Sequence, residues 1–275
     1  MNIDQYKERY ELFDYHIQAI GLFLREVSFS GKRILELGGS NIAKEFCLDI
    51  LGAAEWVSVD LIGPAHYAMM QQKKHYASVS IYPLDQAKHL IGSEKYLIFD
   101  GAAEDIGTMF EDRFDLCISI TAFEHMLSLP LVLRRAYKSL VNSGKLLSYF
   151  GPIWSGPHGH HCWVDAELNF NSGAVPNSTH LVARPLEMFL DLERRFGTLR
   201  ANEAIKQIYH GDRINRLFYD DYINIFKASE FKSCDYAPYY SIELAPDIKK
   251  LLRNKYPYCS DFETYGLFAS FKKEH

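Results

Sequence analysis

Apolar positions in the first 27 residues recur in steps of three and four: Ile3, Tyr6, Tyr10, Phe13, Ile17, Ile20, Leu24 and Val27. That spacing predicts one amphipathic helix over 3–27, packed on something larger. From residue 33 the pattern changes to short apolar runs. "RILEL" (33–37), "WVSVD" (56–60), "KYLIFDG" (95–101), "RFDLCISI" (113–120) and "SGKLLSYFG" (143–151) read as strands. "NIAKEFCLDIL" and "PLVLRRAYKSLV" (130–141) read as helices, the second with proline in its first turn. Apolar strands alternating with helices predict an α/β chain with a mostly parallel, doubly wound sheet.

The alternation stops at residue 152. Residues 152–211 are rich in Gly, Pro, His and Asn, with one helical stretch, "PLEMFLDLERRF" (185–196). A segment this long inside a compact domain is expected to be a lid or a substrate loop. Regularity returns as a helix over 212–231, a strand over 232–241, a helix over 245–256 and a strand over 263–273. That order predicts a last strand inserted antiparallel beside its neighbour. The expected organisation is an N-terminal helical cap (1–29) and one domain (30–275) that carries the 152–211 insertion.

The bulk numbers narrow the function classes. Net charge is −5 over 275 residues, so no basic field argues for nucleic acid; "QQKK" (71–74) reads as a solvated helix face. The five cysteines are far apart and odd in number, neither a disulfide framework nor a zinc knuckle, which points to a reducing compartment. The polar N-terminus does not read as a signal peptide, and no apolar run approaches the roughly 20 residues of a membrane span. A cytoplasmic protein is expected, and a homo-oligomer is compatible with the sequence.

The chemistry begins at "LELGGSN". Gly38 and Gly39 allow a tight turn and close approach of backbone to a ligand, and Ser40 or Asn41 is placed to cap the next helix. Asp60, 24 residues after Glu36, ends the second strand, where an acid can accept hydrogen bonds from two ribose hydroxyls. A dinucleotide fingerprint would read G-x-G-x-x-G; this run is G-G-S-N-I-A. Two acids flanking the turn would repel a pyrophosphate and suit a ligand with a ribose and a positive charge. S-adenosylmethionine is such a ligand.

Over residues 30–273 the chain resembles the class I S-adenosylmethionine-dependent methyltransferases. "ILELGGSN" is similar to the first motif, with Glu36 as its acid and Gly38 as its first glycine; Ser40 replaces the second glycine. "VSVDL" resembles the second, placing Asp60 on the ribose with Leu61 beside it. "FDGAAED" resembles the loop bordering the adenine, implying Ala102, Ala103 and Glu104 there, although many relatives have Asp at the Ala102 position. "FDLCISITAFEHM", with Thr121, resembles the fourth strand and its continuation near the donor. The resemblance implies a Rossmann-like seven-stranded sheet with an antiparallel last strand and a lid after strand 5. It also implies that the N-terminal tyrosines, Tyr6 and Tyr10, close over the donor, a reading that core packing rivals.

The implied acceptor side is "GPIWSGPHGHHCW", which resembles the "P-x-x-S-x-x-G-H-H" stretch of a bacterial branch associated with surface-glycan or secondary-metabolite methylation, through Pro152, Ser155, Gly159, His160 and His161. A hydroxyl acceptor gains from a general base, and His160 or His161 is the expected one. Trp154 and Trp163 are candidates to stack on a sugar, and His158, His180 and Arg184 candidates for the acceptor wall. Some relatives hold a divalent ion through E-x-x-E-H; here the matching residues are Thr121, Glu124 and His125, so one acid is missing and metal dependence is the weaker reading. The expected activity is methylation of a small polar acceptor, first at a hydroxyl. The alternatives are N-methylation of an amine, a binding protein without chemistry, and an NAD-linked dehydrogenase.

Overall fold

The computed structural model describes residues 3–39, 42–75, 79–107 and 109–274. One sheet contains β1 (Arg33–Leu37), β2 (Glu55–Asp60), β3 (Ile81–Pro83), β4 (Tyr96–Asp100), β5 (Phe114–Ile120), β6 (Leu140–Phe150), β7 (Ser233–Ser241) and β8 (Thr264–Lys272). Their order is β3-β4-β2-β1-β5-β6-β8-β7. Pairings from β3 through β6 are parallel, and β8 runs antiparallel between β6 and β7. This is a Rossmann-like α/β sheet. The inserted last strand is as expected, and β3, a three-residue edge strand ending in Pro83, makes the count eight instead of seven.

Successive side chains of each strand alternate between two cores. Leu35, Val57, Val59 and Phe99 join one core with Val132, Leu133, Tyr222 and Phe226 from α4 (Leu129–Ser139) and α8 (Tyr219–Ala228). Ile34, Trp56, Ile98 and Ile118 join the other, covered by Ala19, Ile20 and Phe23 of α1 (Asp14–Glu26). Ile20 and Phe23 are fully buried, which stabilises α1 on the sheet by roughly 3–6 kcal/mol. The smaller helices α2 (Pro64–Gln72) and α3 (Ala87–Leu90) follow β2 and β3. Between β6 and α8 lie α5 (Thr179–Val182), α6 (Pro185–Phe196) and α7 (Thr198–Ile205), with an apolar cluster of their own that includes Cys162, Met188, Leu192 and Ile208. Helix α9 (Pro246–Lys255) links β7 to β8.

Three sequence expectations are corrected. The helix expected over 3–27 is broken: Glu11 has φ 50°, and α1 starts at Asp14 after Phe13, whose N–H donates to His16 Nδ1 at 3.1 Å. The apolar period runs through the break because Ile3 and Tyr10 bury in the same core as α1. The 152–211 stretch holds α5 and α7 as well as the expected α6. The helix expected over 212–231 is confined to Tyr219–Ala228, because Asn215 ties the preceding segment to the turn after β5. Its N–H donates to Glu124 O at 2.9 Å, and its Nδ2 to Phe123 O at 2.7 Å and Met126 O at 3.1 Å.

Candidate functional site

The carboxyl ends of the parallel strands open into one cavity of about 2300 Å³, the expected place for a ligand in an open α/β sheet. After β1 the chain turns at Gly38 (φ 74°) and Gly39 (φ 113°), and the Gly38 N–H donates to Val59 O at 2.8 Å. A Cβ on Gly38 would lie 2.4 Å from Ala122 Cβ, so the turn both needs positive φ and leaves no room for a side chain. Ser40 and Asn41 lie outside the described residues.

Glu36 sits beneath this turn and is buried. Its Oε2 accepts from Trp56 Nε1 at 3.0 Å and from the Ser58 hydroxyl, while Oε1 is buried with no partner. A Cβ on Gly39 would stand 2.9 Å from that Oε1, so the free oxygen abuts the glycine turn. Burial pushes the Glu36 carboxyl up to about 7 against the two hydrogen bonds. Asp60, at the end of β2, lines the cavity. Its carboxylate lies 3.3 Å from His66 Nδ1 and accepts from the Gly39 and Leu61 N–H groups. Burial raises its pKa, and the same three partners oppose that shift.

Leu61, Ala102, Ala103, Glu104 and Thr121 line the same end of the cavity as Gly38, Gly39 and Asp60. Leu61 is 69% exposed and offers an uncovered apolar surface. Gly39 follows β1, Ala102 follows β4 and Thr121 follows β5, so strand ends bring together residues as far as 82 positions apart.

The residues expected on the acceptor side separate. His158 and His161 line the cavity; His160, Trp154, His180 and Arg184 do not. His160 is fully buried, its Nδ1 accepting from Cys162 N–H at 3.2 Å, and burial lowers its pKa well below the usual imidazole value. His180 donates from Nε2 to Trp154 O at 2.8 Å, and its ring packs 4.6 Å from Trp154. The Arg216 guanidinium lies 5.7 Å from the Trp154 ring, so Trp154 is part of the packing below the cavity. Arg184 is on the surface, paired with Glu187 at the start of α6. Of the two tryptophans expected as stacking candidates, Trp163, 51% exposed, lines the cavity and Trp154 does not. Tyr6 and Tyr10 pack on Phe46, with centroids 6.0 and 5.5 Å away, and do not reach the cavity wall.

His161 donates from Nε2 to the Pro152 carbonyl, which leaves Nδ1 as its acceptor. Burial, helped by the nearby His125, pushes it down to about 3. His125 Nδ1 donates to Arg213 O, and its ring meets His161 edge-on at 5.2 Å. Glu124 is the larger surprise. It is 2% exposed, accepts from Gly151 N–H at 3.0 Å through Oε1, and has no partner for Oε2. Thr121 holds the place of a first acid, and among the described residues no group of three His, Cys, Asp or Glu side chains stands close enough to hold a metal ion.

Residues that strand periodicity did not single out complete this end. Tyr149, next to last in β6, stacks on Tyr239 at 3.9 Å and donates to Gln18 Oε1 at 2.6 Å. Tyr265 stands 6.3 Å from Tyr239 and 5.8 Å from His158. The tyrosine-rich "DYAPYYS" was the available signal for Tyr239; Tyr149 and Tyr265 sit in strands whose apolar pattern marks no site.

No protein-family profile matches the chain, and no curated protein does. Among solved structures, a Listeria monocytogenes protein classed among S-adenosylmethionine-dependent methyltransferases aligns with a TM-score of 0.49 and 17% identity, over 94% of this chain and 100% of its own. A methyltransferase of the same dependence from Mesorhizobium loti aligns with a TM-score of 0.49 and 15% identity, over 94% and 97% of the two chains. Phosphoethanolamine N-methyltransferase 2 of Haemonchus contortus aligns with a TM-score of 0.48 and 13% identity, over 94% of this chain and 52% of that one.

Proposed function

We propose that the protein is an S-adenosylmethionine-dependent methyltransferase acting on a small polar acceptor, with the segment 152–211 as the lid over the acceptor. The observation that carries this reading is the pair of acids at the strand ends. Glu36 keeps an unpartnered oxygen under the Gly38–Gly39 turn, and Asp60 lines the cavity one strand away. Asp60 suits the ribose of either ligand class, but a pyrophosphate at the turn would meet the Glu36 carboxyl, whereas an ammonium group would find an acceptor there. Leu61 and Ala102 to Glu104 then border the base, and Thr121 the reactive end. S-adenosylmethionine supplies an activated methyl group when bound there.

The chain's own contribution is orientation and exclusion of water. The glycine turn lets backbone approach the donor, and the 152–163 segment, with His158, His161 and Trp163, walls the other end. A histidine base for a hydroxyl acceptor gains little support: His160 is off the cavity, and a group near pKa 3 is a weak base at neutral pH.

Calorimetry with S-adenosylhomocysteine and with NAD tests the donor. The expected result is saturable binding of S-adenosylhomocysteine, a loss of about tenfold or more for Asp60→Ala, consistent with hydrogen bonds to a charged group of about 1.5–3 kcal/mol, and no NAD binding. Tight NAD binding without S-adenosylhomocysteine binding would overturn the reading.

A further inference from the structure

We propose that the acceptor end of the cavity is a receptor for a cationic amine, with Glu124 as its anion and Tyr149, Tyr239 and Tyr265 as its aromatic wall. The proposal rests on the methyltransferase reading for what happens to that amine, but the recess itself is defined without reference to the donor.

Glu124 is buried, one carboxylate oxygen is satisfied by Gly151 N–H and the other has nothing to bond. A buried carboxylate needs either a proton or a cation. Among the described residues Glu124 forms no ion pair with Lys or Arg. The basic group whose charge reaches it is His125, and that ring is already tied through Nδ1 to the Arg213 carbonyl. Burial raises its pKa and favours a proton there, and a ligand's ammonium can take that proton's place as the compensating charge.

The surroundings select the kind of cation. The Glu124 charge reaches Tyr149, Tyr239 and Tyr265, and all three rings line the cavity together with Glu124. A carboxylate sharing a cavity with three tyrosine rings, two of them stacked at 3.9 Å, suits an ammonium or alkylammonium group, which gains from ring quadrupoles as well as from the charge. His158 and His161 complete the wall. With His161 held neutral at ordinary pH, that ring adds no competing positive charge. A sugar hydroxyl would use the aromatic faces but leave the buried charge uncompensated. An ammonium also loses its proton to solvent about five orders of magnitude more readily than a hydroxyl as acidic as water, and the neutral amine it leaves is nucleophilic without a strong base in the site.

The architecture holds Tyr239 in place. A Cβ on Gly266 would lie 2.4 Å from the Tyr239 hydroxyl and 2.5 Å from Phe150 O, so the ring is seated against a position where only glycine fits.

The test uses n-butylammonium and n-butanol as matched probes, titrated by calorimetry at pH 7 into the full chain, with and without saturating S-adenosylhomocysteine. The expected result is saturable n-butylammonium binding at least tenfold tighter than n-butanol. It should weaken at least tenfold in Glu124→Gln, which keeps an acceptor for Gly151 N–H and removes only the charge. Tyr265→Leu, which retains the carboxylate, is expected to weaken the same probe severalfold and guards against misfolding of the first variant. Equal affinity for the two probes, no n-butylammonium binding, or binding unchanged in both variants would overturn the proposal. Loss of S-adenosylhomocysteine binding with n-butylammonium binding intact would instead strike the donor reading and leave the amine recess standing.

Discussion

Glu36 shows how one buried atom couples the turn to pH. Its carboxyl is pushed up to about 7 by burial, and its Oε1 is unpartnered beside Gly39. At pH 6 the group is therefore mostly protonated in the free protein. An ammonium arriving at the turn favours the ionised form and draws the pKa down. Binding of S-adenosylhomocysteine should thus release close to one proton at pH 6 and almost none at pH 8, where Glu36 is already ionised. Calorimetry in two buffers of different ionisation enthalpy measures that release, and Glu36→Gln should abolish it. A release that does not vary between pH 6 and 8, or that persists in the variant, would detach Glu36 from the ligand. The place of the acid before the turn was legible in "ILELGG"; the Trp56 and Ser58 hydrogen bonds that hold one oxygen and free the other were not, because they cross between strands.

At the scale of elements, the strands were the most legible part of the chain. The five central strands are largely buried on both faces and read as short apolar runs, so they were found within three residues of their ends, and β7 and β8 within one. β3 escaped because three half-exposed residues ending in proline carry no period. The residues proposed to hold the donor could be read together from the sequence because they follow strand ends, and the cavity brings them to one wall. Those of the acceptor end could not, because adjacent residues of a loop can face opposite ways: His161 lines the cavity and His160 is buried behind it. Asn215 is another element-level feature hidden from periodicity. Its Oδ1 accepts from the Tyr222 hydroxyl at 2.9 Å, and Tyr222 is fully buried. Asn215→Ala would strip two carbonyls after β5 of a donor and orphan that hydroxyl, with a cost of about 2–4 kcal/mol. In a Tyr222→Phe background the cost should fall by about 1 kcal/mol, as urea denaturation of the double-mutant cycle would show. Additive losses would mean that the hydroxyl is satisfied elsewhere.

Across the whole molecule, groups with opposed pKa shifts are sorted into different parts of the fold. His160, His161 and His180 belong to the segment between β6 and α8, and burial lowers all three, to about 3 for His161 and about 4 for His180. Glu36, Asp60 and Glu124 belong to the strand ends, and burial raises all three. A histidine with a depressed folded pKa refuses a proton that the unfolded chain accepts below about 6.5, so each one destabilises its region as pH falls, by at most about 1.4 kcal/mol per pH unit. A carboxyl with a raised folded pKa does the reverse: the folded form keeps a proton that the unfolded chain releases, so the strand ends gain stability as pH falls from about 7 toward 4.5. Global unfolding should therefore depend on pH between 7 and 5 less than the three histidines alone would make it, because the carboxyls oppose them. Local opening should not be so balanced, since residues 152–210 carry the histidines and a separate small core. Amide hydrogen exchange, corrected for its intrinsic pH dependence, should accelerate at least tenfold in 152–210 between pH 7 and 5, while β1, β2 and β5 hold or slow. His180→Gln should reduce that acceleration, because it removes one of the three groups that resist protonation. Equal acceleration in the sheet and in 152–210 would show that the segment does not open apart from the sheet, and that acid acts on the molecule as one unit.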